Sequence, residues 1–553
     1  MLLGRAATAA PAITAVLDAA AYTASVAQGS VFVVKGTGLC PAGTLFGSIP
    51  LSQAPLNNAK ITFTPATGGA STDAYMVYTY GAGAVNQLAA ILPSTVAPGD
   101  YNVTVTNAGS ASPAFKTSVA AHKFGIITVN GSGSGRAVTQ NYISAAQYDL
   151  GRYTTGTLSG FTYSPAHPGQ IIVIWGTGMG PIAAADNVVP GAIDLRASLD
   201  IQVVINGIAY KPDLYAGRAP SLPGADEIVM TLPTNIATGC LLSMQVSVNG
   251  QLSNDALIAI APGSAAACIT PGLTVEQLTR LDQGGKFNVG TISLSGSVDS
   301  HTNNQGRTTV SRLDEASAVF VSLDADGLNA GTIGQTVAPP ANGTCTVIRE
   351  VIGTPSLISN VPAFALLGAG QLALTGPNVN HTTISTITLL GPNTAGVTAT
   401  NGAVFSAGTY TVNGAGGKDV GALTASIQMA QPLVVTGGVG SELDRTRPLA
   451  IVWSGGGSSQ VTINGGSSAP APGSTTANRL TDVGSFECIT TADKGGFTVP
   501  ASVLQQMPVG SGNVRLSSNY FMNTFTAPLV AGGSLDFGYF YTGFQNSFNP
   551  DYK

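Results

Sequence analysis

Charge is what this sequence has least of. Only 9% of its 553 residues are Asp, Glu, Lys or Arg, against roughly 25% in ordinary soluble domains. The net charge is −5, so there is no basic footprint for nucleic acid and no polybasic segment for anionic lipid. Histidine is scarce too: His122, His167, His301 and His381 show no metal-ligand spacing and no H-E-x-x-H. No apolar run reaches the roughly 18 residues of a membrane span. The nearest, 361–374, is broken by Gly368, Gly370 and Gln371. The start, Met1-Leu2-Leu3-Gly4-Arg5 followed by small residues through Ala12, matches the tail of a signal peptide but lacks its full apolar region. Either the start is truncated or export uses another signal.

Cysteine is sparing, with five in the chain and no C-x-x-C. That disfavours zinc ribbons, thioredoxin-like sites and haem attachment. Cys240 precedes an alternating strand at 241–248, and Cys268 follows a second at 256–260, with a turn near Gln251–Ser253 between them. Folding that hairpin brings the two cysteines together, so a Cys240–Cys268 disulfide is the first expectation. Cys345–Cys488 is the second, and Cys40 is left free. The alternative is five inert buried thiols.

What is abundant is turn chemistry. Gly (70) and Pro (32) nearly exclude long helices, while 44% hydrophobic residues suffice for ordinary cores. The segment Val33-Val34-Lys35-Gly36-Thr37-Gly38-Leu39 returns 140 residues later as Val173-Ile174-Trp175-Gly176-Thr177-Gly178-Met179. Leu92-Pro93 and Gly99 return at the same offset as Leu232-Pro233 and Gly239. Two anchors at one offset make the first ~265 residues two copies of one domain. Period-two alternation, as at Tyr101, Val103 and Val105 or Leu242, Met244, Val246 and Val248, gives strands with one buried face. Pro-Gly and Asn-Gly turns between them indicate sandwiches. The glycines of G-T-G fit a tight bend where Cβ atoms would collide.

Further on, Thr274-Val275-Glu276-Gln277 reads as a capping box opening a short helix to about Asp282, ended by Gly284-Gly285. A second short helix is expected over Ala501–Met507, after Pro500. The expected fold class is all-β: tandem Ig-like β-sandwich domains with two short helices in the C-terminal half. The expected domains are residues 1–124, 125–265, 266–432 and 433–553. The third is β-rich with a short N-terminal helix, and the fourth carries an aromatic tail.

The segment 168–262 resembles the C-terminal domain of the Solibacter-type paralogous family of secreted acidobacterial proteins. The matching pieces are Pro168-Gly169, Ile174-Trp175-Gly176-Thr177-Gly178, Tyr215-Ala216-Gly217-Arg218-Ala219-Pro220, Pro223-Gly224 and Leu232-Pro233. It is also similar to IPT/TIG immunoglobulin-like domains. The trailing half resembles the end of some members through Gly408-Thr409-Tyr410-Thr411-Val412, 416–421, Trp453-Ser454-Gly455-Gly456 and Phe497-Thr498-Val499-Pro500. The resemblance implies export, sandwich modules and a surface or matrix setting, with no catalytic residues to carry over.

Standard chemistry is missing. Gly131-Ser132-Gly133-Ser134-Gly135 is not G-x-S-x-G, and its reading is a hairpin turn. Gly176-Thr177-Gly178-Met179-Gly180 lacks the last glycine of a dinucleotide loop and the helix that should follow. Asp324-Ala325-Asp326-Gly327 starts like a calcium loop, but no bidentate Glu arrives at the twelfth position. A turn is favoured there, with a surface calcium near Asp324 and Asp326 as the sharper reading. No acid pair can be nominated for glycoside hydrolysis, so no enzyme is expected.

Two functional expectations remain. The leading one is an extracellular structural or interaction protein that self-assembles into a fibre or coat. Its motive is the low charge, the repeat and a cluster of seven aromatics after residue 536. Phe537 opens that cluster, and Tyr539, Phe540, Tyr541, Phe544, Phe548 and Tyr552 are the assembly candidates. That segment is either a packed final strand followed by a loose tail or an exposed piece that docks on a neighbour by strand addition or pocket insertion. The alternative is an adhesin or carbohydrate-binding protein, with Tyr78, Tyr80, Tyr215 and Arg218 as glycan-binding candidates.

Overall fold

The computed structural model describes residues 10–82, 85–270, 273–302, 308–323, 342–352, 364–384, 399–400, 405–470 and 481–553. Almost all of them are strand, turn or loop. They form two compact units, one running to Gly285 and one starting at Lys286. The Asp324 and Asp326 calcium position lies outside the described residues.

The first unit holds two sandwiches. In the first, one sheet has the order Ala12–Asp18, Val31–Thr37, Val85–Ile91, Tyr75–Ala82, Gly43–Phe46. The facing sheet is built on Phe115–Ala120, Gly99–Asn107 and Ala59–Pro65. Between them Phe32, Val34, Leu88 and Ala90 meet Ile61, Phe63, Val103 and Val105, all fully buried, with Phe32 edge-on to Phe63. This is the inward set that period-two alternation selects.

The second sandwich repeats the plan. Ile171–Thr177 pairs with Asp226–Thr231 in the register that joins Val31–Thr37 to Val85–Ile91, so Ile174↔Ile228 repeats Val34↔Leu88. Ile201–Ile205, Gly239–Val248 and Ala256–Ile260 form its facing sheet, as Ala59–Pro65, Gly99–Asn107 and Phe115–Ala120 do in the first. The 140-residue offset is therefore a property of the strand ladder and not only of the motifs. The repeated glycine has a steric cause in both copies. A Cβ on Gly36 would lie 2.0 Å from the Ala12 carbonyl oxygen, and one on Gly176 would lie 2.2 Å from the Phe124 ring.

Charged side chains hold the joint between these sandwiches. Arg218 is 1% exposed; its guanidinium donates to Asp226 at 2.7 Å and to the Gly180 carbonyl at 2.8 Å, with Asp186 at 4.0 Å. Asp186 in turn accepts from the Ser94 amide and hydroxyl at 2.7 and 2.8 Å, which ties the first copy to the second. Lys123, in the connecting segment, donates within a shell of five oxygens: Asp18 Oδ2, Thr23 Oγ1 and the carbonyls of Thr23, Ala24 and Ser25, at 2.6–3.3 Å.

The helix Val275–Asp282 forms with its capping box intact: Thr274 Oγ1 accepts from the Gln277 amide, and Gln277 Oε1 accepts from the Thr274 amide. Its last residue, Asp282, is fully buried and accepts from Arg136, Thr154 Oγ1 and the Thr154 amide at 2.8–2.9 Å. That fastens the helix to the second sandwich, so the first unit extends to Gly285, past the expected edge at 265. The second helix is shorter than expected, Ala501–Leu504.

In the second unit an eleven-stranded sheet runs through both expected C-terminal domains. Its path is Cys345–Ile352, Thr481–Thr491, Gln460–Pro470, Gly510–Phe525, Phe537–Phe548, Phe287–Thr302, Thr308–Leu323 and Phe364–Leu366. A sheet containing Leu372–Gly376, Gly408–Gly414 and Leu423–Met429 covers one core, where Phe540 and Phe544 meet Ile292, Leu294, Tyr410 and Ile427. A three-stranded sheet with Leu449–Ser454 at its centre covers a second core around Trp453, Ile463 and Leu516. One sheet thus serves both cores, and each core draws residues from both sides of position 432. The final long strand belongs to the first core, and the strand at Cys345 packs on the second.

Both expected disulfides are present, Cys240–Cys268 and Cys345–Cys488, and Cys40 is a buried free thiol. Burial pushes the Cys40 thiol up from its ordinary value, which leaves it inert.

Two stability outcomes follow from these joints. Arg218→Met leaves Asp226 buried without its cation, and the expected loss is about 3–5 kcal/mol, read as a lower denaturant midpoint for the first unit. Cys240→Ala with Cys268→Ala opens a loop of 28 residues, and the expected loss is about 3–4 kcal/mol, read in the same assay.

Candidate functional site

The first sandwich turns an unusual face outward. Ladder partners share a sheet face, and the register places Phe46 opposite Tyr78, Thr44 opposite Tyr80, Tyr80 opposite Gln87, and Gln87 opposite Lys35. Alternation sends their neighbours Thr79 and Leu88 into the interior. Phe46 is 69% exposed and Tyr80 42%. The Phe46 and Tyr78 rings lie 5.8 Å apart, tilted at 57°. Gln87 Nε2 donates to the Tyr78 hydroxyl at 2.5 Å, which fixes that ring. Lys35 Nζ sits 4.9 Å from the centre of the Tyr22 ring, and burial followed by the neighbouring Tyr78 pushes the Tyr22 phenol up from its ordinary value.

Two of the four expected glycan-binding residues, Tyr78 and Tyr80, thus share a face with Phe46, Gln87 and Lys35. The other two do not join them. Tyr215 uses its hydroxyl within the second sandwich, accepting from the Ile193 amide at 2.9 Å and donating to the Arg218 carbonyl. Arg218 is enclosed by Asp226, Gly180 and Asp186, so its guanidinium cannot reach a ligand. Sequence reasoning missed Phe46 because its strand, Gly43–Phe46, is a four-residue edge whose every residue is exposed. No alternation marks such a strand. The usable signal was a Phe a few residues after the repeated G-T-G, in a segment with no charge.

The aromatic C-terminal segment forms a strand paired on both edges. Phe537–Phe548 has a partner on each edge, Gly510–Phe525 antiparallel and Phe287–Thr302 parallel. No backbone edge is left for strand addition. Phe540, Phe544 and Tyr552 are buried, and Tyr552 donates its hydroxyl to the Asn513 carbonyl at 2.9 Å. Tyr539, Tyr541 and Phe548 are half-buried, with Tyr539 stacked on Phe537 at 5.3 Å. The segment is therefore a central strand of its sheet, packed on one face through Phe540 and Phe544 and open to strand addition on neither edge.

Among the described residues no three His, Cys, Asp or Glu side chains converge to hold a metal ion. Among the described residues no helix is long and apolar enough to cross a membrane. His122 lies in a loop, its Nδ1 2.7 Å from the Met179 carbonyl oxygen.

No protein-family model matches the chain, and no curated protein matches it. Solved structures show distant likeness only. The Bacteroides ovatus mixed-linkage glucan utilization locus SGBP-B, in complex with a mixed-linkage heptasaccharide, is 13% identical over 56% of this chain and 68% of its own, at a TM-score of 0.19. Titin domains z1z2 in complex with telethonin are 10% identical over 46% of this chain and 99% of theirs, at 0.12. A 1.5-MDa bacterial ice-binding adhesin is 11% identical over 70% of this chain and 94% of the solved chain, at 0.11. Likeness at that level carries no weight for function, and the Ig-like plan rests on the sheets described above.

Interior and face residues should separate cleanly on truncation. Phe540→Ala is expected to cost about 3–5 kcal/mol, whereas Phe46→Ala should stay within about 0.5 kcal/mol. Urea titration of the two variants measures the contrast.

Proposed function

We propose that this chain is an extracellular or cell-surface interaction protein that binds a neutral, hydroxyl-rich polymer, a polysaccharide, on the outer face of its first sandwich. The observation that carries the reading is the group of exposed Phe46 and Tyr80 with half-buried Tyr78 between them, flanked by Gln87 and Lys35. Aromatic rings with one apolar face and a polar tip suit the C–H face of a sugar ring while leaving its hydroxyls for neighbouring amides and phenols. A protein with 9% charged residues offers little to a charged ligand, so a neutral partner fits its surface. Two disulfides fit an oxidising compartment. The Solibacter-type motif resemblance points the same way, toward secreted surface proteins.

Self-assembly keeps one support, the uncharged edge strand Gly43–Phe46, because unprotected edges pair with other strands. Sedimentation across concentrations tests it, and a monomer throughout would remove it.

The polysaccharide reading is tested by affinity gel electrophoresis of the full chain in gels containing hydroxyethylcellulose, galactomannan or xylan. At least one polymer should retard the wild type, and Phe46→Ala with Tyr80→Ala should abolish at least part of that retardation. A wild type that runs freely in all three gels sinks the proposal.

A further inference from the structure

The long sheet of the second unit carries a groove of about 320 Å³. Its position follows from alternation along three adjacent strands. On Phe287–Thr302, Ile292 and Leu294 enter the core; on Phe537–Phe548, Phe540 and Phe544 do; on Thr308–Leu323, Ala316 and Ala318 do. The residues between them share the opposite face. The register sets Ser293, Ser295 and Ser297 beside Tyr541, Gly543 and Gln545 on one side, and beside Ser317, Glu315 and Leu313 on the other.

The middle row, Glu315–Ser295–Gly543, has one small side chain and one absent side chain. The rows above and below carry Tyr541 and Gln545. A trough therefore crosses the strands with a phenol wall, an amide wall and a carboxylate at one end. Its volume is at the lower end of small-ligand sites. Among the described residues the Glu315 carboxylate has no hydrogen-bond or ion-pair partner. Ser293 and Ser317 already bond each other at 2.7 Å, Gln545 Nε2 donates to Ser547 Oγ at 2.9 Å, and Ser295 Oγ makes a long 3.5 Å contact to the Glu315 carbonyl. The Glu315 carboxylate, Ser297, the Gln545 amide oxygen and the acceptor side of Ser295 are therefore the polar groups offered to a ligand.

We infer that this groove is a second ligand site, and that its ligand is a neutral sugar unit of a polysaccharide chain. A carboxylate accepts from two adjacent hydroxyls, an amide both donates and accepts, and a tyrosine ring stacks on a pyranose face. Among the described residues no cation lines the trough, which disfavours phosphate or uronate. The inference rests on the reading that the chain binds neutral polysaccharide, but it uses residues separate from the first face.

The same gels test it. Glu315→Gln preserves shape and removes the strongest acceptor, and Tyr541→Ala removes the stacking wall. Each should weaken retardation of the full chain at least fivefold while Phe46→Ala leaves that component in place. If both groove variants run as the wild type does, and only Phe46→Ala or Tyr80→Ala loses retardation, the groove inference is overturned and the first-face reading stands. If only the groove variants lose it, the groove stands and the first face falls. Free migration of the wild type overturns both. Should Tyr541→Ala lower the thermal midpoint, Glu315→Gln alone decides.

Discussion

The arrangement of the first unit hangs on one buried ion pair, Arg218 with Asp226. Burial pushes the Asp226 carboxyl up from its ordinary value, and Arg218 together with the Met179 and Gly178 amides opposes that shift. A buried pair adds little net stability over apolar packing, but any alignment that separates it leaves a charge without a partner. Here the alignment includes both sandwiches. Arg218 reaches toward Asp186, Asp186 takes the Ser94 amide and hydroxyl, and Ser94 Oγ also accepts from the Ile182 amide. Lys123 adds a second lock on the linker through its five oxygens. The outer face with Phe46 and Tyr80 thus belongs to a sandwich joined to its sibling by these polar contacts.

The second unit solves its own problem by exchange. Its two cores borrow strands, Phe537–Phe548 for one and Cys345–Ile352 for the other. Parallel pairing of Phe287–Thr302 with Phe537–Phe548 joins residues nearly 250 positions apart. Closing such a contact costs loop entropy before any ladder bond repays it, so this sheet belongs to the slow end of folding. It also ties the groove to that long-range pairing, because the Tyr541, Gly543 and Gln545 side of the trough comes from Phe537–Phe548 and the serine side from Phe287–Thr302.

The sequence made some of this legible for physical reasons. Alternation and the fixed offset exposed the paired sandwiches, because each strand must keep one face dry and both copies use one ladder. The hairpin around Gln251–Ser253 placed Cys240 near Cys268, and Thr274 with Gln277 announced the first helix through local hydrogen bonds alone. What stayed hidden depends on distant partners. Aromatic residues of both parities, Phe540 and Phe544 inward with Tyr539 and Tyr541 outward, look the same in sequence as an exposed tail. Only the strands on either side, at 287–302 and 510–525, show that the segment is interior. Arg218 resembled a surface cation until Asp226, its ladder partner across a hairpin, was seen facing it. Glu315 and Tyr541 are 226 positions apart, and no spacing rule joins them.

Scarce charge then connects stability to binding. Several of the chain's charged groups sit at joints: Arg218 with Asp226, Lys123 with Asp18, and Arg136 with Asp282. The first outer face keeps Lys35 beside Tyr22, and the groove keeps Glu315, so neither offers a strong field to a ligand. Association on such surfaces gains little from electrostatic steering and relies on stacking and hydroxyl contacts that are individually weak. Weak contacts become useful when one polymer meets several of them, since the second engagement is intramolecular. A chain with two aromatic faces of one charge each, on separate units, has that option, and a repeating polysaccharide is the kind of partner that would use it.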